Sequence, residues 1–204
     1  AQVPTVQKEM KAFRIESNLK IDGEFDEMVW QNAIPASNFI QNEPNPGSTP
    51  SQKTEVKILY DNTALYISAI LYDTKPKEIL NQLTERDDIG NSDWFAIILD
   101  TYRDGNNGLG FVVTPAGVQL DTKYSPSRGD RRGPGGVLWD GDKAWDAVWD
   151  AEAKITNQGW QVEMMIPYSA IRFPDQMEQI WNINFVRQIR RNREQLFWNE
   201  VNPV

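Results

Sequence analysis

Apolar and polar residues alternate in two adjoining runs of the first half of the chain. In 54–60, Thr54, Val56, Ile58 and Tyr60 alternate with Glu55 and Lys57. In 65–71, Leu65, Ile67, Ala69 and Leu71 share one face. A period of two marks a half-buried strand. Asp61-Asn62-Thr63 between the runs is turn chemistry, so the pair is a hairpin. Trp94 to Leu99 is apolar on both faces, the pattern of a central strand. The same reading predicts strands at 12–16, 109–114, 118–124, 145–155 and 160–166. In the last of these, Trp160, Val162, Met164 and Ile166 alternate with Gln161 and Glu163. A final hairpin pairs 181–190 with 194–199 across Arg191-Asn192-Arg193.

Helical signals are few and short. Asp22-Gly23 turns the chain into a brief acidic helix at about 24–32, placed so that Trp30 folds back onto the β core. Another short helix is predicted around 76–81, and one helical turn at Pro167-Tyr168-Ser169-Ala170-Ile171. Gln41 to Ser51 carries three Pro and one Gly and is a surface loop. Residues 125–144 hold five Gly, two Pro and three Arg without periodicity, a long loop of the kind that is often functional. About nine short strands with meander-like turns predict an all-β, antiparallel β-sandwich with a short N-terminal helix. The 204 residues suit one domain, 1–204, with an N-terminal tail at 1–11 and the long Gly/Arg-rich loop at 125–144. There is no internal repeat.

Composition narrows the chemistry. There is no Cys and no His. Disulfides, thiolate metal sites, Cys nucleophiles, the usual general base and the usual zinc and haem ligands are thereby excluded. Neither haem nor zinc is expected. A net charge of −8 argues against a phosphate-binding surface, so no nucleic-acid partner is expected. Only Arg187, Arg190, Arg191 and Arg193 cluster. Arg187 falls on an apolar strand face and is read as structural, and Arg190 and Arg193 as solvent or turn residues. Eight Trp, six Tyr and eight Phe leave rings over for exposed stacking after a core is filled. No run approaches the ~20 apolar residues of a membrane helix. Ala1-Gln2-Val3-Pro4 matches a mature N-terminus after signal cleavage, and an arbitrary boundary equally well. The expected location is the bacterial cell envelope, periplasmic or outer-membrane-associated, or the outside of the cell.

The order Ile21-Asp22-Gly23 to Trp30, VKILYDNTALYISAILYD, Ile97-Ile98-Leu99-Asp100, FVVTPAG, GWQVEMMIPYSAIRF and WNINFVRQIRR resembles the family 9 carbohydrate-binding modules across about 12–200. WDAVWDA, IPYSAIRF and NFVRQIRRNRE resemble more closely the N-terminal family-9-like module of large envelope proteins with a predicted C-terminal β-barrel. The resemblance implies a non-catalytic β-sandwich with a jelly-roll or immunoglobulin-like course. It implies glycan binding by ring stacking and polar contacts, often with structural calcium, in the service of polysaccharide catabolism. It also implies a membrane β-barrel partner in the parent protein. The family's sugar-contacting Glu, Arg and Gln fall at Ala96, Val112 and Val186, all apolar here. One of its two stacking tryptophans falls in the Arg86–Asn91 loop, which has no aromatic, and the other beyond Val204.

A sugar site needs a flat ring face flanked by amides, carboxylates or Arg. The stacking candidates are Trp139 in the long loop, Trp198 beside Asn199 and Glu200, and Trp94 beside the Asp87–Asp93 loop. Trp139 has a packing alternative as a lid over the core, and Trp94 as part of a strand that is apolar on both faces. Trp145, Trp149 and Trp160 are assigned to the core. Asp87, Asp88 and Asp93 are the candidate calcium ligands, six to eight oxygens being what that hard cation takes. Asp100, Asp104, Asn106 and Asn107 are a second cluster. Solvated loop carboxylates and turn residues are the plainer alternative for both. Nothing selects a pair of carboxylates for glycoside cleavage, so no enzyme is expected. Two functions from different classes stand: a glycan-binding module, and a protein-interaction or structural module that has lost the sugar site.

Overall fold

Strand β3 (Thr54–Tyr60) runs through a tight turn into β4 (Ala64–Tyr72) in the computed structural model, with Ile58 opposite Ile67 and Val56 opposite Ala69. Asp61 builds that turn: its Oδ1 accepts from the backbone N–H groups of Thr63 and Ala64 at 2.7 and 2.8 Å. The structure describes residues 7–16, 19–124, 141, 142 and 144–200.

These residues form eleven strands in two sheets. Besides β3 and β4 they are β1 (Phe13–Arg14), β2 (Ile40–Glu43), β5 (Trp94–Asp100), β6 (Gly108–Val113) and β7 (Gln119–Tyr124). The chain continues with β8 (Asp150–Thr156), β9 (Gly159–Pro167), β10 (Asn182–Ile189) and β11 (Glu194–Phe197). The first sheet has the order β1-β3-β4-β9-β8 and the second β2-β11-β10-β5-β6-β7. All pairings are antiparallel except that of β1 with β3. The sandwich core lies between the sheets, where Ile67, Leu71, Trp160, Val162 and Met164 meet Phe95, Ile97, Phe111, Phe185 and Leu196. Every second residue of β3, β4, β5 and β9 enters it, as the period of two requires.

Three local expectations are corrected. The predicted surface loop at 41–51 contains part of β2, which pairs with β11 at the edge of the second sheet. Its Gln41 and Asn42 carry no apolar alternation, so nothing in the composition marks it. The predicted strand 145–155 starts only at Asp150, although Ala147 and Trp149 before it are buried as expected. The opening helix shrinks to a 3-10 turn, Met28–Asn32. Trp30 does fold inward, but onto the outer face of the first sheet, in a separate cluster with Ile15, Leu19, Leu59 and Tyr66.

That outer face also explains the Asp22-Gly23 turn. Glu163 of β9 is fully buried there. Its Oε2 accepts from the N–H groups of Asp22 and Gly23 at 3.1 and 3.0 Å, and its Oε1 from Trp30 Nε1 at 3.1 Å. Gly23 has φ +74, a left-handed conformation suited to Gly. At the other end of the chain, Asn199 holds the N-terminal segment: its Oδ1 accepts from Lys8 N at 2.7 Å and its Nδ2 donates to Lys8 O at 3.2 Å.

Candidate functional site

The positions to which the resemblance carries the sugar contacts are neighbours on one surface. Val186 of β10 lies opposite Ala96 of β5, and Ala96 opposite Val112 of β6. Phe197 continues the row on one side and Leu120 on the other. The row crosses the outer face of the second sheet, and all five residues are buried. With Trp94 and Ile89 they form an apolar cluster of their own. No hydrogen-bonding side chain stands in that row.

A concavity lies alongside the row, reached through Trp94 and Ile89. Two segments frame it, the 87–94 stretch that leads into β5 and the 3-10 turn Arg190–Asn192 that follows β10. A cavity of about 300 Å³ is lined there by Asp87, Asp88, Ile89, Gly90, Ser92, Trp94 and Arg190. Local hydrogen bonds shape both walls. Asp88 Oδ1 accepts from Gly90 N at 2.9 Å, and Gln82 Oε1 from Asn91 N at 2.9 Å. Arg190 Nε donates to Asn91 Oδ1 at 3.1 Å and ties the turn to the loop. Asp93 N donates to Leu80 O at 2.9 Å.

Behind the cavity lies a buried ionic layer. Asp93 is fully buried, and its Oδ1 accepts from Arg190 N at 2.8 Å. Burial pushes its carboxyl up to about 6. Arg187, equally buried, donates to Lys53 O, Thr54 Oγ1 and Tyr72 O at 2.9, 3.1 and 2.8 Å. Burial pulls its guanidinium down to about 10, so it stays charged at neutral pH. Arg191 pairs with Asp73 at 2.8 Å. The structural role expected of Arg187 holds. Its hydrogen-bond partners are backbone carbonyls and a hydroxyl, with Asp93, Asp73 and Glu194 supplying the neighbouring negative charge.

The structure scatters the residues singled out in the sequence. Trp139 lies outside the described residues. Trp198 is corrected from stacking candidate to core residue: its ring is 3% exposed, packs 5.4 Å from Phe185, and its Nε1 donates to Ser37 O. Trp94 lines the cavity but is only 2% exposed, so its ring offers no open face. Asn199 has its side chain committed to Lys8, and its backbone N–H and C=O are bound by Asn184. Glu200 is exposed beside it, at the far end of β10 from Arg190. Trp149 and Trp160 are buried and Trp145 packs against the same core, as assigned.

Asp87, Asp88 and Asp93 are not brought together either. Among the described residues no three acidic side chains gather into a group able to hold a metal. Asp93 turns inward to Arg190 while Asp88 caps its own loop. In the second cluster, Asp104 accepts from Asn106 and Asn107 N–H groups, and Asp100 from Gly105 N and Asn182 Nδ2. Those oxygens fold a loop. Sequence reasoning missed Arg190 as a cavity residue. Its signal is the register, since Gln188 pairs with Trp94 and the residue two further along must meet the loop before β5.

Comparison with known proteins bears on this site. The carbohydrate family 9 binding domain-like profile matches residues 21–196. None of the curated proteins matches the sequence. A family 9 carbohydrate-binding module from Caldicellulosiruptor kristjanssonii in complex with glucose superposes with a TM-score of 0.61 at 19% identity, covering 92% of this chain and 85% of that one. The same organism's family 9 module in complex with cellotriose gives 0.62 at 18%, covering 93% and 84%. A protein from Bacteroides uniformis ATCC 8492 gives 0.65 at 10%, covering 96% and 91%. At these identities the likeness is one of fold.

Proposed function

The chain belongs to the carbohydrate family 9 binding domain-like family, and we propose on that footing that it is a glycan-binding module whose site is the cavity before β5. Modules of this family bind without catalysing. The carrying observation is positional. The cavity opens on the loop to which the family's stacking ring is carried, and it abuts Ala96, Val112 and Val186 on the sheet. Asp87, Asp88 and Arg190 supply donors and acceptors for hydroxyls, and Ile89 an apolar wall. With Trp94 and Trp198 closed, Trp139 is the stacking candidate from the sequence that is left to test. The superposed modules, in complex with glucose and cellotriose, support gluco-oligosaccharides as first ligands to try. The resemblance supports a place in a bacterial envelope protein concerned with polysaccharide breakdown, followed there by a membrane β-barrel.

Calorimetric titration with glucose, cellotriose and a panel of plant and microbial glycans tests the reading, with Trp139→Ala and Arg190→Ala as site variants. Binding that both variants weaken is expected. Absence of binding to every glycan sinks it. A second reading, a protein-interaction module, is favoured by one feature: the row at the family's sugar positions is apolar and sealed. Retention of an envelope protein by the intact module, unaffected by Arg190→Ala, would support that reading instead.

A further inference from the structure

We propose that the site continues across the 83–90 loop into a second cavity, so that the ligand is an uncharged oligosaccharide lying over both cavities; this rests on the glycan reading. The second cavity, about 240 Å³, is lined by Leu83, Thr84, Arg86, Ala116, Gly117, Val118 and Gln119. Two hydrogen bonds join its wall to that of the first. Asp87 N donates to Gln119 O at 3.0 Å, and the Thr84 hydroxyl donates to Asp88 O. Asp87 sits at the junction with φ +67, a left-handed backbone for a residue with a side chain. The two depressions therefore share one narrow ridge.

Size and chemistry both suit a bridging ligand. Small-molecule sites span about 300–1,000 Å³. The cavities, at about 300 and 240 Å³, reach that range comfortably only together. The second cavity is firmly built. Arg86 donates to Gln119 Oε1 at 2.6 Å and Ala147 O at 3.1 Å, and pairs with buried Asp121 at 2.5 Å. Asp121 in turn accepts from Ala147 N and Trp149 Nε1. Leu83 is 80% exposed at the rim, an apolar surface for the C–H face of a sugar. Charge selects against uronates. The first cavity sets Asp87 and Asp88 against Arg190, and the guanidinium of the second is already paired with Asp121.

Titration of the whole chain with glucose, cellotriose and an oligouronate tests this, using Ala116→Tyr and Leu83→Ala in the second cavity and Arg190→Ala in the first. Melting temperatures confirm folding. Ala116→Tyr is expected to weaken cellotriose about tenfold or more and leave glucose within about twofold. Arg190→Ala is expected to weaken both, and the uronate to bind more weakly than cellotriose. Second-cavity variants that leave the cellotriose-to-glucose ratio unchanged overturn the extension while the glycan reading stands. Preference for the uronate overturns the charge assignment. Wild-type protein that binds no sugar overturns the glycan reading itself, and the extension with it.

Discussion

Trp30 donates its indole N–H to Glu163 at 3.1 Å across 133 residues of sequence. The same carboxylate accepts the N–H groups of Asp22 and Gly23. One buried acid thus holds the whole opening phrase of the chain against the first sheet. Removing it leaves the buried donors of Gly23 and Trp30, and the half-buried N–H of Asp22, without their acceptor, and each buried group costs about 1–3 kcal/mol. Glu163→Ala is therefore expected to lower stability by about 3 kcal/mol or more in urea denaturation. A loss under about 0.5 kcal/mol would show that the contact contributes nothing.

Proton linkage makes a second prediction. Burial pushes Glu163 up to about 7 and Asp93 up to about 6, from ordinary values of 4.5 and 3.8. Between those limits the folded protein holds more protons than the unfolded chain. Each contribution is complete below the ordinary value and is lost as pH rises through the folded one. Glu163→Gln binds no proton there. Its stability deficit against wild type is expected to be largest near pH 4.5 and to shrink towards pH 7. Urea midpoints measured across that window check it, and a deficit that grows with pH would contradict it.

Arg187 is a third test. It is 0% exposed and bridges the two sheets, reaching from β10 to Lys53 O, Thr54 Oγ1 and Tyr72 O. Breaking a buried charged contact by removing one partner costs about 3–5 kcal/mol. Arg187→Ala is expected to lose stability in that range or to fail to fold. Arg187→Lys has no planar fork to reach three acceptors and is expected to recover only part of the loss. Equal stability of wild type and Arg187→Lys in urea would mean that charge alone matters.

The sealed row carries a fourth. Ala96 is 0% exposed between Val186 and Val112. Ala96→Glu places a carboxylate among apolar neighbours, with an expected loss of more than about 2 kcal/mol at neutral pH, eased by acid. A Tm unchanged at pH 7 would mean that this face opens readily to water.

Much of the sandwich was legible because its strands alternate. Val56 and Ile58, or Val162 and Met164, declare an inner face by period alone. Trp149 and Trp160 were assignable for the same reason. What escaped detection depended on partners remote in sequence. β2 is polar and extended only because β11 pairs with it. The Glu163 site joins residues 22, 23, 30 and 163, and no local pattern says that a Glu alternating with apolar residues faces a covered surface. The candidate cavity was legible as a loop and not as a cavity, because Arg190 reaches Asn91 only through the β5–β10 register. Trp198 misled for a related reason: Asn199 and Glu200 follow it in the chain, yet the ring itself turns into the core.

The clasp between Lys8 and Asn199 has a consequence for the order in which the protein is made. A ribosome delivers residue 8 long before residue 199, and domains complete folding only as their last elements emerge. Residue 8 waits for 199, and residues 22 to 30 wait for 163. Until then the outer face of the first sheet, with Leu59 and Tyr66, stays uncovered. Emergence of β9, which carries Glu163, is what lets the opening segment settle over that apolar strip.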